Sequence, residues 1–175
     1  YSNKLSQGRH IAMAQINLHN LAETERFGRM LAQAVKNCGV AALLLRGPLG
    51  SGKTTLTRAL VEALPGGDQA EVASPSFTLC NYYPTTPPVM HCDLYRSPGS
   101  LPDEIAEGLD KPQIFSILEW SEYLPEAEMP QDYLDISLQP CEESRLLTLQ
   151  AHGPVADGLL RHLRQYWPVD SSAHS

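Results

Sequence analysis

The stretch that most limits what this chain can become is LLLRGPLGSGKTTLTRALVEALPG, residues 43–66. An apolar run feeds a glycine-studded loop that matches G-x-x-x-x-G-K-[ST] over residues 47–54 and opens onto a helical pattern. Strand, phosphate loop and helix in that order begin a parallel sheet, so the motif points to an α/β fold before the rest is read. Glycines at 47, 50 and 52 let the backbone curl until successive N–H groups converge on phosphate oxygens. The helix that follows adds its positive end to the same point. The candidate nucleotide-binding residues are Gly47, Pro48, Leu49, Gly50, Ser51, Gly52, Lys53, Thr54 and Thr55. Lys53 can reach β- and γ-phosphates, and the Thr54 hydroxyl is the expected ligand for Mg²⁺.

A phosphate loop alone hydrolyses nothing. It needs an acid at the end of a neighbouring strand to hold the metal, and a group that orients water. Asp93 follows the apolar run VMHC and Glu119 follows IFSIL, so both are expected at the sheet's C-terminal edge, where open α/β sheets bind ligands. Period two puts His91 and Asp93 on one side of their strand and Cys92 on the other. That argues against a His/Cys/Asp metal cluster, and His91 reads as a packed or hydrogen-bonding residue. Trp120, beside Glu119, reads equally as a core aromatic or as a stacking side chain next to the nucleotide.

The rest of the chain fits the same class. Residues 20–39 read as a helix that opens with Asn20 and Glu23 in capping-box spacing and stops at Cys38-Gly39. Residues 53–64 read as the helix after the loop, and 100–110 and 155–167 as two more. Strands are expected at 40–47, 74–84, 89–96 and 113–120, with an antiparallel hairpin from 133–139 and 144–152. The expectation is one P-loop NTPase domain over 13–168, with a mixed, mainly parallel sheet and helices packed on it. Residues 1–12, ahead of Met13, read as an added leader, and 169–175 as a disordered tail.

A formal net charge of −7 disfavours direct nucleic-acid binding, which needs a basic field. The cysteines, 38, 80, 92 and 141, form no C-x-x-C pair and read as scattered buried thiols of a reducing compartment. No apolar run approaches the roughly 20 residues of a membrane span, and the expected location is the cytoplasm.

The guanine-reading N-K-x-D and the D-x-x-G switch of small GTPases do not occur, and no arginine cluster of a kinase lid follows the acids. Four further motifs, LGSGKTTLTRAL, SPSFTLCNYY, HCDLYR and LEWSEYLP, follow one another in an order that resembles the bacterial TsaE (YjeE-like) ATPases. The resemblance runs from about residue 20 to about 150. It implies a P-loop fold, ATP with Mg²⁺ and weak ATPase activity alone. It also implies a supporting role beside two partners, TsaD and TsaB, in making the threonylcarbamoyladenosine next to the anticodon, so tRNA is met indirectly through the complex. By the same resemblance Lys53 and Thr54 take the phosphate and metal positions, Glu119 the metal-side acid and Asp93 the acid of H-x-D-L-Y-R. Trp120 completes the E-W pair, Ser74–Phe77 is a switch-like loop, and Thr24 falls close to the adenine. Ser76 stands where threonine is commoner, and Ser121 where proline often follows the pair.

The sequence thus presents Lys53, Asp93 and Glu119 as catalytic candidates, with Thr54, Glu119 and Asp93 around the metal; the two acids could exchange roles. Arg145 opens a hairpin strand and reads as a solvated edge charge, and no arginine finger lies within the motifs. A small-molecule kinase and a nucleotide-gated binding module remain as alternatives.

Overall fold

The computed structural model describes residues 12–39, 42–75 and 77–167. The leader expected at 1–12, apart from Ala12, and the tail expected at 169–175 lie outside the described residues, as does Ser76.

Among the described residues, seven strands and four α-helices follow one another: β1 (Ala12–Leu18), α1 (Leu21–Cys38), β2 (Ala42–Arg46), α2 (Lys53–Ala63), β3 (Cys80–Tyr83), β4 (Val89–Asp93), α3 (Asp103–Leu109), β5 (Phe115–Glu119), β6 (Tyr133–Pro140), β7 (Arg145–His152) and α4 (Pro154–Tyr166). The strands form one mixed sheet in the order β1-β7-β6-β2-β5-β4-β3. The four inner strands β6, β2, β5 and β4 are mutually parallel, and antiparallel strands flank them on both sides. The sheet is covered on both faces, which is why β2 is apolar at consecutive positions. Leu43 and Leu45 pack with the buried faces of α1, α2 and α4, while Ala42 and Leu44 pack with Ile105 of α3 on the other side.

Local signals explain the helix ends. The Asn20 side chain accepts from the Glu23 N–H at 2.8 Å. The Glu23 carboxylate reaches back one residue further than a standard capping box, to the His19 N–H at 2.7 Å. α4 begins with Pro154, and the Asp132 carboxylate accepts from the Val155 and Ala156 N–H groups at its first turn.

Three sequence expectations change. β1 had no counterpart in the sequence reading, yet Ala14, Ile16 and Leu18 are buried at every second position and pair antiparallel to β7. The strand expected at 74–84 shrinks to Cys80–Tyr83, because residues 77–79 just before it bend instead of pairing and Phe77 is exposed. Finally, Cys80 and Cys92 are not scattered thiols. Antiparallel pairing of β3 and β4 sets them directly opposite each other, and they are joined as a disulfide, while Cys38 and Cys141 are free.

Candidate functional site

The phosphate loop starts where β2 ends, at the C-terminal edge of the sheet, and hands over to α2 at Lys53. Gly52 caps that helix at φ 102, a region closed to residues with a Cβ except under strain. Its carbonyl accepts the Leu56 N–H at 2.9 Å and so begins the helical ladder. Lys53 is almost fully buried, and its ammonium curls back to donate to the carbonyls of Gly47 at 2.6 Å and Pro48 at 3.0 Å. Burial lowers its pKa, while the charges of Glu119, Glu122 and Asp93 pull it up.

β5 and β4, on one side of the loop, supply the acids. The Thr54 hydroxyl donates to Glu119, 3.0 Å from Oε1 and 3.3 Å from Oε2. Glu119 is buried and takes a second contact at Oε1 from His91 Nε2 at 3.0 Å. An ionised carboxylate only accepts, so Nε2 of His91 carries the proton in this contact. The other ring nitrogen, Nδ1, meets the Tyr83 hydroxyl at 3.2 Å, and that hydroxyl also reaches the Ala73 carbonyl at 3.4 Å. The buried line Tyr83–His91–Glu119 thus ends on the hydroxyl of the phosphate loop. Asp93 is the register partner of Glu119 on the adjacent parallel strand. Burial raises its carboxyl pKa; the bond from the Tyr95 N–H at 2.8 Å opposes the rise, and the charge of Glu119 adds to it.

Trp120 holds a left-handed backbone at φ 57, the only non-glycine positive φ among the described residues, at the exit of β5. Such a conformation costs of order 1–3 kcal/mol and persists only where neighbours fix it. The indole stacks on Tyr123 at 5.9 Å between ring centroids, meets Tyr95 at 4.9 Å, and lies 4.4 Å under the Lys53 ammonium. It is half-buried at the cavity wall, so the core and site readings of this residue hold together.

On the other side of the loop stand β6 and β7. Ser137 of β6 pairs with Arg46, the last residue of β2, so β6 runs three residues further, about 10 Å past the end of β2. The hairpin turns there and returns at Arg145, opposite Pro140. The overhang carries the Arg145 guanidinium to the loop, within 3.1–3.3 Å of where a Cβ on Gly52 would stand. Arg145 is half-buried rather than a solvated edge charge, and it has no hydrogen-bond or ion-pair partner among the described residues.

These elements enclose a cavity of about 510 Å³, within the range of small-molecule sites. Its walls bring together Leu49, Gly50, Gly52, Lys53, Thr54, Thr55, Asp93, Glu119 and Trp120 from the sequence reading, and add Arg96 and Arg145. Gly47 and Pro48 take part through their carbonyls, and Ser51 lies buried behind the loop. Thr24 is not brought to this cavity: it is buried in α1, and its hydroxyl donates to the Asn20 carbonyl at 3.3 Å. Among the described residues no group of three or more His, Cys, Asp or Glu could by itself cage a metal. No helix there is long and apolar enough to cross a membrane.

A family model described as threonylcarbamoyl adenosine biosynthesis protein TsaE matches residues 18–147. A curated tRNA threonylcarbamoyladenosine biosynthesis protein TsaE from Streptomyces coelicolor is 38% identical over 118 residues, which cover 63% of this chain and 75% of that protein. Its namesake from Bacillus subtilis is 33% identical over 153 residues, covering 84% and 91% respectively. In fold, the chain is similar to the crystal structure of Bacillus subtilis YdiB, with a TM-score of 0.71 at 24% identity, covering 91% of this chain and 99% of that one.

Proposed function

The chain belongs to the TsaE family, with a role in tRNA threonylcarbamoyladenosine biosynthesis, and we propose that it acts there as a Mg²⁺-dependent ATP hydrolase supporting the turnover of TsaD and TsaB. The observation that carries the reading is the contact of Thr54 with Glu119 at 3.0 Å, beside Lys53 and in the same cavity as Asp93.

The residues fit Mg²⁺, which takes one or two protein oxygens and completes its shell with phosphate and water. Thr54 and Glu119 offer a hydroxyl and a carboxylate already in contact, and Asp93 stands on the neighbouring strand. When bound, the ion would neutralise the negative charge of the phosphate oxygens during transfer. Lys53 would turn from the loop carbonyls toward those same oxygens. His91 keeps the Glu119 carboxylate fixed in direction. Asp93, held by the Tyr95 N–H at 2.8 Å, would orient the attacking water and accept its proton. The water oxygen bonds to the γ-phosphorus, the bond to the β,γ-bridging oxygen breaks, and ADP leaves with that electron pair.

Dependence on partners has its own support. Leu49, Phe77 and Tyr95 are large apolar side chains, 84%, 94% and 56% exposed, and all three line the mouth of this cavity. Apolar surface beside a site is the kind that another protein covers. The test is phosphate release by this protein alone and with a TsaB–TsaD pair, using Lys53→Ala as control. Slow turnover alone, strong stimulation by the pair and its loss in the variant are expected. Turnover near 10 s⁻¹ alone, or stimulation by a metabolite instead of the pair, would overturn the reading.

A further inference from the structure

We propose that Arg145 is a nucleotide-binding residue, pairing with the α- and β-phosphates that ADP and ATP share. The proposal rests on the reading of the cavity as a nucleotide site.

Three observations on the hairpin carry it. First, the overhang of β6 and β7 places the Arg145 backbone, paired to both β6 and β1, beyond the end of β2 and level with the loop that leaves that strand. Second, the guanidinium lies against Gly52, within 3.1–3.3 Å of its missing Cβ, and lines the same cavity as Lys53 and Thr54. A glycine there lets the cation approach the loop backbone closely. Third, no carboxylate or carbonyl among the described residues engages it. Arg46, two strands away on β2, shows the contrast: its guanidinium is occupied by Asp135 at 2.8 Å. A half-buried guanidinium facing a phosphate loop, its donors unspent, is suited to a bidentate phosphate contact.

The side from which Arg145 approaches decides which phosphates it meets. Glu119 and Asp93 lie across the loop, on β5 and β4, whereas Arg145 comes from β7 beyond β6. The acids mark the γ-phosphate and metal end, so Arg145 reaches the opposite end. It therefore strengthens binding of both nucleotides and is not a finger that acts only on the transferred phosphoryl group.

The test is calorimetric titration of wild type, Arg145→Ala and Arg145→Gln with ADP and with the β,γ-imido analogue of ATP, both with excess Mg²⁺. The expected result is a loss of affinity of about 10–100-fold in both variants, equal for the two nucleotides. Thermal unfolding without nucleotide identifies a variant that has lost its fold, and the Gln substitution keeps most of the side-chain volume. Unchanged affinities in folded variants would overturn the proposal and return Arg145 to an edge charge. Intact ADP affinity with turnover lost at saturating ATP would overturn it in favour of an arginine finger. Absence of binding in the wild type would instead remove the nucleotide reading on which it stands.

Discussion

The two flanks of the phosphate loop are built on opposite principles. On the acid flank the groups around the loop hydroxyl form a connected line: Thr54 on Glu119, Glu119 on His91, His91 on Tyr83, with Asp93 on the Tyr95 N–H beside it. On the basic flank Arg145 sits against Gly52 with no protein partner among the described residues. A network whose members fix one another loses geometry when one is removed, and its function suffers in the step that needs geometry. A cation held only by its strand loses nothing but the ligand it would have met. The acid flank is arranged for positioning, and the basic flank for affinity.

Lys53 lies between the two and should produce the largest effect. Lys53→Ala removes the charge that faces both flanks and is expected to lower ATP turnover about 10²–10³-fold, the cost of deleting one fixed electrostatic contact to the reacting phosphates. Phosphate release at saturating ATP measures it. A loss confined to KM would place Lys53 with Arg145 as a binding group and break the division.

The division is sharpened by His91→Ala. If His91 holds the Glu119 carboxylate in direction, the variant should need about 10–100-fold more Mg²⁺ for half-maximal turnover, as for other groups that orient metal ligands. Its affinity for nucleotide without metal should move little. An Mg²⁺ titration of phosphate release distinguishes this from general loosening of the buried core, which would lower the unfolding temperature and leave the Mg²⁺ midpoint in place.

What the sequence showed and hid follows the same line. The loop, α2 and the strand-end acids were legible because each is a local pattern: a motif, a helical period, an apolar run ending in a carboxylate. The hairpin of β6 and β7 was legible from alternation, but its position next to β2 was not. Without that neighbour Arg145 could only be read as an edge charge. The line Tyr83–His91–Glu119 and the Cys80–Cys92 bond needed two registers, β3 on β4 and β4 on β5, which no local pattern states. β1 carried a local signal too, but a short one: only from Ala14 to Leu18 does the run alternate apolar and polar, after three consecutive apolar residues. Thr24 differs again. It came from the family resemblance and not from its own chemistry, and its hydroxyl is committed to its own helix.

Gly52→Ala tests whether the basic flank tolerates change at its contact point. The backbone at φ 102 resists any Cβ, and the new methyl would stand 3.1 Å from Arg145 Nη1. The expected cost is about 1–3 kcal/mol of stability, read from denaturant unfolding. Arg145 is the free end of a flexible side chain and can yield, so most of that cost belongs to the backbone. Adding Arg145→Ala should then recover little. Full recovery would show that the guanidinium is held rigidly, as a member of the acid flank would be.

The smallest effect concerns the pair that closes the sheet between the flanks. Asp135 of β6 bonds Arg46, yet burial outweighs that attraction and raises its carboxyl above the usual aspartate value. A folded-state pKa raised for an acid means that the native state prefers the protonated form. Its favourable contribution is present below the unfolded aspartate pKa and is lost as pH rises through the higher folded value. Asp135→Asn cannot ionise and should not show that loss. The unfolding temperature of the variant relative to wild type should therefore climb as pH rises from about 4 toward neutrality, the sequence-independent reference for aspartate being about 3.9. A relative fall over the same range would mean that Arg46 governs the site. The buried aspartate would then behave as a fully compensated charge, and the contrast between the two sides would be confined to Arg145.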